Sequence, residues 1–279
     1  MAFPAPHCRF WLLLAVLTVA PASAAAGDDA ASTGCRFEAA GESLAAGTRA
    51  ARIVDGRSLL LADGREVRLA GIEVPVTASE PSGQAAVQSA RAALENWVAS
   101  APLSFKRLGP ESDRYGRLLL HVFAERDAKQ IWVQRELVAG GYARVSTRLD
   151  TNCAKALLEA ERAARGGGLG LWSDAQFRPR PAEQATEILN ERGRFALVEG
   201  KVLSVRESGG IVYLNFGRRW VRDFAVTVLK RNERQFTSAG IELKKLEGRR
   251  VRIRGWVEER GGPRIEAHGP EQIEIAERN

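Results

Sequence analysis

Two short stretches hold the side chains most able to do chemistry. Residues 52–75, RIVDGRSLLLADGREVRLAGIEVP, carry Asp55, Arg57, Arg68 and Glu73, and the run DRYGR at 113–117 carries Tyr115 and Arg117. Arginine suits anions because its planar fork donates paired hydrogen bonds to carboxylate or phosphate and never loses its charge. If Arg57, Arg68 and Arg117 converge, three guanidinium groups form a cradle for such an anion, with Tyr115 placed to stack on a base. The bland alternative has Arg57 turned to solvent or paired with Glu73, and Tyr115 packed within its own turn.

The elements that must position these groups are short strands. Arg52–Val54 ends a strand, Asp55-Gly56 is a turn, Ser58–Ala62 is a second strand and Asp63-Gly64 a hairpin signal. In Glu66–Ala70 the alternation puts Arg68 on the face opposite Val67 and Leu69. DRYGR reads as a tight turn between strands Leu103–Leu108 and Leu118–Ala124. Helical spacing of Val87, Ala90, Leu94, Trp97 and Val98 predicts a helix over Gln84–Ala99 with Ser82 as N-cap. Further helices are expected at Ile131–Ala139 and Cys153–Arg165, the latter closed by three glycines and followed by an apolar hook, Leu169–Trp172. His121 lies on an apolar strand and reads as a core histidine, and three scattered histidines make no metal set. Trp132, Trp172 and Trp256 read as core or hook residues.

The 279 residues suffice for two small domains. From Arg194 onward the period changes to two, predicting about five strands: Ala196–Val205, Gly210–Phe216, Asp223–Leu229, Arg249–Glu258 and Ile265–Ile275. The net charge of +7 is lopsided, because residues 194–279 hold 18 Lys and Arg against 12 Asp and Glu. That excess suggests an anionic partner, and equally a solvated surface. Tyr213, Phe216 and Trp220 alternate with Arg218, Arg219 and Arg222, followed by Lys244, Lys245, Arg249, Arg250, Arg252 and Arg254, a pattern that fits base stacking or plain core packing.

Residues 1–24 have the form of a secretory signal, with Arg9, the apolar run Phe10–Ala20 and small residues at Ala22 and Ala24. The expected boundaries are therefore a signal over 1–24, a flexible mature N-terminus over 25–45, a first domain over 46–174, a linker over 175–193 and a basic domain over 194–279. The expected location is exported, periplasmic or secreted, with no transmembrane segment after cleavage. Cys35 and Cys153 are then an even pair in an oxidising compartment and favour a disulfide, two buried thiols being the alternative.

An ordered set of motifs resembles the thermonuclease (staphylococcal-nuclease-like) family: VDG at 54–56, VRLAGIEVP at 67–75, DRYGR at 113–117, ELVAGGYAR at 136–144, and a helix with Glu161 ending in GLW at 170–172. The resemblance covers 48–174. It implies a mainly β fold with α, an OB barrel with three helices, and the part from Phe195 looks like a second, small OB-like barrel. In the active family a calcium ion on aspartates polarises the phosphoryl oxygen, a glutamate activates water and two arginines neutralise developing charge. Carried over by position, Arg68 and Arg117 match the arginines. Asp55 matches the first aspartate of the family's DGD turn, and Arg57 stands at the second, a calcium ligand. Glu73 replaces the loop aspartate, Val74 a threonine whose carbonyl binds the metal, and Val76 the catalytic glutamate. Glu80 is a remote replacement base.

The resulting expectation is an exported, thermonuclease-like protein with a degenerate site, binding nucleic acid or another phosphate-bearing anion. No cofactor is expected, with calcium at the residual Asp55 and Glu73 only if the site still functions. The rivals are an active phosphodiester hydrolase with an altered metal site, and a scaffold for an envelope protein partner.

Overall fold

The computed structural model describes residues 1, 35, 37–39, 44, 47–75, 81–108, 112–147, 151–219 and 221–276. The signal expected over 1–24, Val76, Glu80 and Trp220 lie outside the described residues. No described helix is long and apolar enough to cross a membrane.

The first domain runs β1 (Glu38–Ala39), β2 (Ala50–Asp55), β3 (Ser58–Leu61), β4 (Glu66–Leu69), β5 (Ile72–Glu73), α1 (Pro81–Val98), β6 (Leu103–Arg107), β7 (Leu118–Arg126), β8 (Lys129–Trp132), α2 (Val133–Ala139), β9 (Arg144–Val145) and α3 (Thr151–Gly166). Strands β2, β3 and β4 form an antiparallel meander, and β4 pairs parallel with β7. Gly64 takes φ +85 in the predicted Asp63-Gly64 hairpin, a conformation costly for a side chain. Strand β5 leaves the sheet and pairs with β9, setting Ile72 opposite Val145 and Glu73 opposite Arg144.

The core of this domain is apolar strand faces covered by three helices. Leu59, Val67, Leu69, Leu120 and Val122 are buried against Ala90, Leu94 and Val98 of α1, Leu137 and Val138 of α2, and Leu157 of α3. Helix α1 begins at Pro81, one residue before the expected cap, so Ser82 lies within its first turn. Proline suits that end because its missing N–H would have no helical partner. The helix expected over Ile131–Ala139 starts only at Val133, because Lys129–Trp132 pairs back on β7 through a turn in which Asp127 and Ala128 have φ of 50 and 57. That two-residue turn lacks the usual glycine and so left no signal in the sequence.

The second domain runs β10 (Arg180–Pro181), α4 (Ala185–Asn190), β11 (Phe195–Lys201), β12 (Ser204–Ser208), β13 (Ile211–Asn215), β14 (Ala225–Leu229), α5 (Glu233–Ser238), β15 (Arg250–Arg260), β16 (Gly262–Glu266) and β17 (Ile273–Ile275). It repeats the first domain's pattern: β12, β13 and β14 form a meander, and β14 pairs parallel with a later strand, β16. The fold is a mixture of helix and strand with OB-like connectivity, and the sheets do not close into full barrels. Two expected strands are split, Ala196–Val205 at Val202-Leu203 and Ile265–Ile275 by a 3-10 turn at Pro270–Gln272.

The stretch read from its prolines as a linker is built into this domain. Strand β10 pairs parallel with β11 at the sheet edge, where Pro181 withholds no needed N–H, and Ala182 and Ile188 enter the second core. Between the domains Ala164 and Trp172 pack on Phe195 and Leu197 as a small apolar cluster. The hook is real: Leu171 N–H donates to Gly141 O at 2.8 Å, with Leu171 and Trp172 buried. Cys35 and Cys153 are disulfide-bonded, with Cα atoms 4.7 Å apart across a sequence separation of 118.

Candidate functional site: an arginine cluster at the strand turns

The turn between β2 and β3 lies directly on α1. A Cβ on Gly56 would come within 2.7 Å of the Ala90 Cβ, so glycine is what lets the turn sit there. Asp55 Oδ1 accepts from the Arg57 backbone N–H at 2.8 Å, which fixes the turn and aims Arg57 inward. Arg57 is 4% exposed. Its Nη1 donates to Ile72 O at 3.1 Å and is ion-paired with Glu73 Oε2, while Nε has no partner among the described residues. The other carboxylate oxygen, Glu73 Oε1, accepts from Ser146 Oγ at 3.2 Å. Of the two arrangements left open by the sequence, the structure has Arg57 paired with Glu73.

Arg68 sits opposite Ser58 on β3 and Leu119 on β7. It is partly buried and makes no hydrogen bond or ion pair among the described residues. Burial holds its pKa below the ordinary arginine value. The nearby charges of Arg57 and Arg117 push the same way, against Glu73 and Asp55. Arg57, Arg117, Glu73 and Asp55 are therefore all near enough to act on the charge of Arg68.

Arg117 is delivered by the DRYGR turn, which Asp113 organises. Asp113 Oδ1 accepts from the N–H groups of Tyr115 at 2.8 Å and Arg117 at 3.1 Å, and Gly116 takes φ +77. Asp113 Oδ2 then takes Arg117 Nε at 2.7 Å and Nη2 at 2.6 Å, and Glu66 lies 3.8 Å from Nη1. Burial alone would lower the Arg117 pKa, but the Asp113 hydrogen bond and charge outweigh it and raise it. Tyr115 is 67% exposed, with the guanidinium groups of Arg114 and Arg117 4.7 and 5.2 Å from its ring centre. The three arginines thus converge in charge, but two of them are already neutralised.

The carboxylates nearest the family's metal position have partners of their own. Glu73 is held by Arg57 and Ser146, Asp55 by the Arg57 N–H, and no group of three or more His, Cys, Asp or Glu suited to a metal exists among the described residues.

Residues 66–174 match the family model described as staphylococcal nuclease homologue. This segment is a staphylococcal-nuclease-like domain. The match contains Arg68, Glu73 and Arg117, while the Asp55–Arg57 turn lies ahead of it. No curated protein gives a significant match to the chain.

Outside the nuclease-like site, His121 is fully buried as expected, accepts from Trp132 Nε1 at 3.2 Å on Nδ1 and is held neutral by burial, with its pKa pushed down to about 3. Trp132 and Trp172 are buried, but Trp256 is 45% exposed, contrary to its core reading, because it faces the domain junction instead of the second core. Phe216 is core, packed on Phe224, while Arg218, Arg219 and Arg222 are exposed, so this part of the aromatic and basic alternation divides into inside and outside. Arg254 is the opposite surprise: it is 1% exposed and crosses the junction to Glu161 of α3. Sequence alternation placed Arg254 on the polar face of its strand, and nothing in it shows that this face is covered by another domain.

Proposed function

We propose that this chain is an exported nucleic-acid-binding protein whose nuclease-type site holds an anion without calcium and without cleaving it. The observation that carries the reading is the buried pair of Arg57 with Glu73. A guanidinium there opposes a metal: unit charges about 4 Å apart at an effective dielectric near 20 interact by about 4 kcal/mol, and a divalent ion doubles that. The same pair withdraws Glu73 from service as a base. Valine at position 76 cannot accept a proton, and loss of a general base costs about 10²–10⁴-fold in rate.

What survives is a cation, Arg68, with no hydrogen bond or ion pair among the described residues. Arg68 has unspent donors, Arg117 stands beside it with Asp113 behind, and Tyr115 offers an exposed ring at the rim. That set suits a phosphodiester oxygen with a base stacked nearby. The buried disulfide and the signal-like residues 1–24 support export.

The test is a nuclease assay on the purified exported protein with and without divalent cations, beside Arg57→Asp/Val76→Glu. The expected result is no cleavage by the unchanged protein, salt-dependent binding of oligonucleotides that Arg68→Ala weakens, and metal-dependent cleavage by the double variant. Cleavage by the unchanged protein that Arg68→Ala abolishes would establish the active-hydrolase reading instead.

A further inference from the structure

The domain junction encloses a cleft of about 360 Å³. Its volume is in the range of small-ligand sites. It is a separate place from the Arg68 cluster, although Glu73 lines it too. Among the described residues five arginines line it (Arg144, Arg178, Arg180, Arg192 and Arg194), against two carboxylates, Glu73 and Glu191.

The carboxylates do not satisfy the arginines. Glu73 is taken by Arg57 on its far side. Glu191 is shared, 3.1 Å from Arg180 and 3.9 Å from Arg194. Arg192 is paired outward with Glu259, and Arg178 reaches only the carbonyls of Trp172 and Ser173, each at 3.3 Å. Arg144 is the decisive residue. Its guanidinium lies 5.3 Å from the Phe195 ring centre, its Nε is buried without a partner, and it makes no hydrogen bond or ion pair among the described residues. Burial holds its pKa below the ordinary value, with Glu161, Glu73 and Glu191 opposing that and Arg254 adding to it. A buried guanidinium with no ion pair among the described residues gains from an anion that enters the cleft.

Beside these charges is an open aromatic face. Trp256 packs edge-on to Phe195, with centroids 6.2 Å apart, and stays 45% exposed at the cleft wall. An unpaired guanidinium next to an exposed indole fits a ligand that is anionic at one end and planar at the other.

We propose that this junction cleft binds one nucleotide unit of a single-stranded nucleic acid, with its phosphate at Arg144 and Arg194 and its base on Trp256. The proposal rests on the chain being a nucleic-acid binder but not on the Arg68 site. A free acidic peptide satisfies the arginines and leaves Trp256 unused, so the aromatic face favours the nucleotide.

The test measures fluorescence anisotropy of 5′-labelled dT12 and rU12 on the exported protein, comparing Trp256→Ala, Arg194→Ala and Arg68→Ala. Both cleft residues are largely exposed, so the variants retain the fold. Trp256→Ala should weaken binding about tenfold or more through lost stacking. Arg194→Ala should reduce the slope of log affinity against log salt by about 0.7, the share of one phosphate contact on a single strand. Wild-type affinity and salt slope in both cleft variants, with binding lost in Arg68→Ala, would overturn the cleft and leave the nuclease-type site standing. Absence of binding by the unchanged protein would overturn both. Displacement of dT12 by poly-glutamate as effectively as by unlabelled dT12 would overturn the base-stacking assignment.

Discussion

Replacing Arg254 by methionine should uncouple the two domains. Arg254 Nη1 donates to Val145 O at 3.0 Å and to Glu161 Oε1 at 3.1 Å, and Nη2 donates to Glu161 Oε2 at 2.6 Å and is paired with Glu274. Glu161 is fully buried and also accepts the Val145 N–H at 2.8 Å, so this one carboxylate ties α3 to β9 and to the second domain. Methionine keeps most of the stem's packing and removes the charge. Breaking a buried pair by removing one partner costs about 3–5 kcal/mol. Arg165 still lies 3.3 Å from Glu161 and 3.5 Å from Glu274, which puts the expected loss near the lower end, about 3 kcal/mol.

Urea unfolding followed by fluorescence and by far-UV circular dichroism reads the effect. The parent should unfold in one coincident transition. Arg254→Met should shift it to lower urea and separate the two probes as the domains part. Acid adds a second readout. Burial pulls the Glu274 pKa up, but Arg254, Arg165 and Arg252 outweigh it and hold the carboxyl below its ordinary 4.5. The stability it contributes is therefore complete above pH 4.5 and is lost as pH falls through the lower native value. Without Arg254 that native value rises, so acid unfolding should begin at higher pH. A variant within about 1 kcal/mol of the parent, with probes still coincident, would refute the lock, since losses that small are ordinary for surface changes.

Three further outcomes are expected. Cys35→Ser with Cys153→Ser should lower stability by about 4–5 kcal/mol on the chain-entropy account of a bridge spanning 118 residues, measured as the loss of the parent's sensitivity to reductant in urea unfolding. His121→Phe should flatten the stability–pH curve. The native pKa near 3 lies below the unfolded 6.5, so the parent loses about 1.4 kcal/mol per pH unit as pH falls below 6.5, and an unchanged slope in the variant would contradict the buried neutral ring. Arg57→Met should cost about 3–5 kcal/mol by leaving Glu73 buried with only Ser146, and Glu73→Gln in the same background should recover part of that, read from urea midpoints.

The strands and the Arg68 neighbourhood were legible in the sequence because their signals are local. Asp63-Gly64 needs only its own backbone, and Arg68 is placed by alternation with Val67 and Leu69. The family motifs add order and spacing, and the matched segment bears them out over 66–174. What sequence did not reveal depends on contacts between distant segments. Trp256 reads as core from its residue type, yet it shares the face of β15 with Arg252 and Arg254, opposite Val251, Ile253 and Val257, and that face opens to the junction. Arg144 closes a motif that reads as helix-ending punctuation, and only pairing of β9 with β5 brings it beside Glu73. The 175–193 stretch reads as a linker because its apolar residues are few, but Ala182 and Ile188 enter the second core and Arg180–Pro181 pairs with β11, contacts that appear only once that core exists.

Glu73 joins the two candidate sites. It is one of only two residues of β5, it pairs in charge with Arg57 toward the nuclease-type cluster, and it lines the junction cleft with its strand partner Arg144. Its partner Ser146 is held by Gly71 O, at 2.9 Å from the Ser146 N–H, and the adjoining Val145 is fastened by Glu161 and Arg254. Polar contacts thus link Arg57 to Glu73 and Glu73 to Ser146, and through the adjoining Val145 reach Glu161 and Arg254 of the second domain. A carboxylate free to accept a proton at the site needs slack; this one is held from two sides. The second domain therefore does more than add positive charge: through Arg254 it holds β9, the Ser146 that follows β9 shares Glu73 with Arg57, and among the described residues Arg68 and Arg144 make no hydrogen bond or ion pair, which leaves them as the groups the proposed anion would meet.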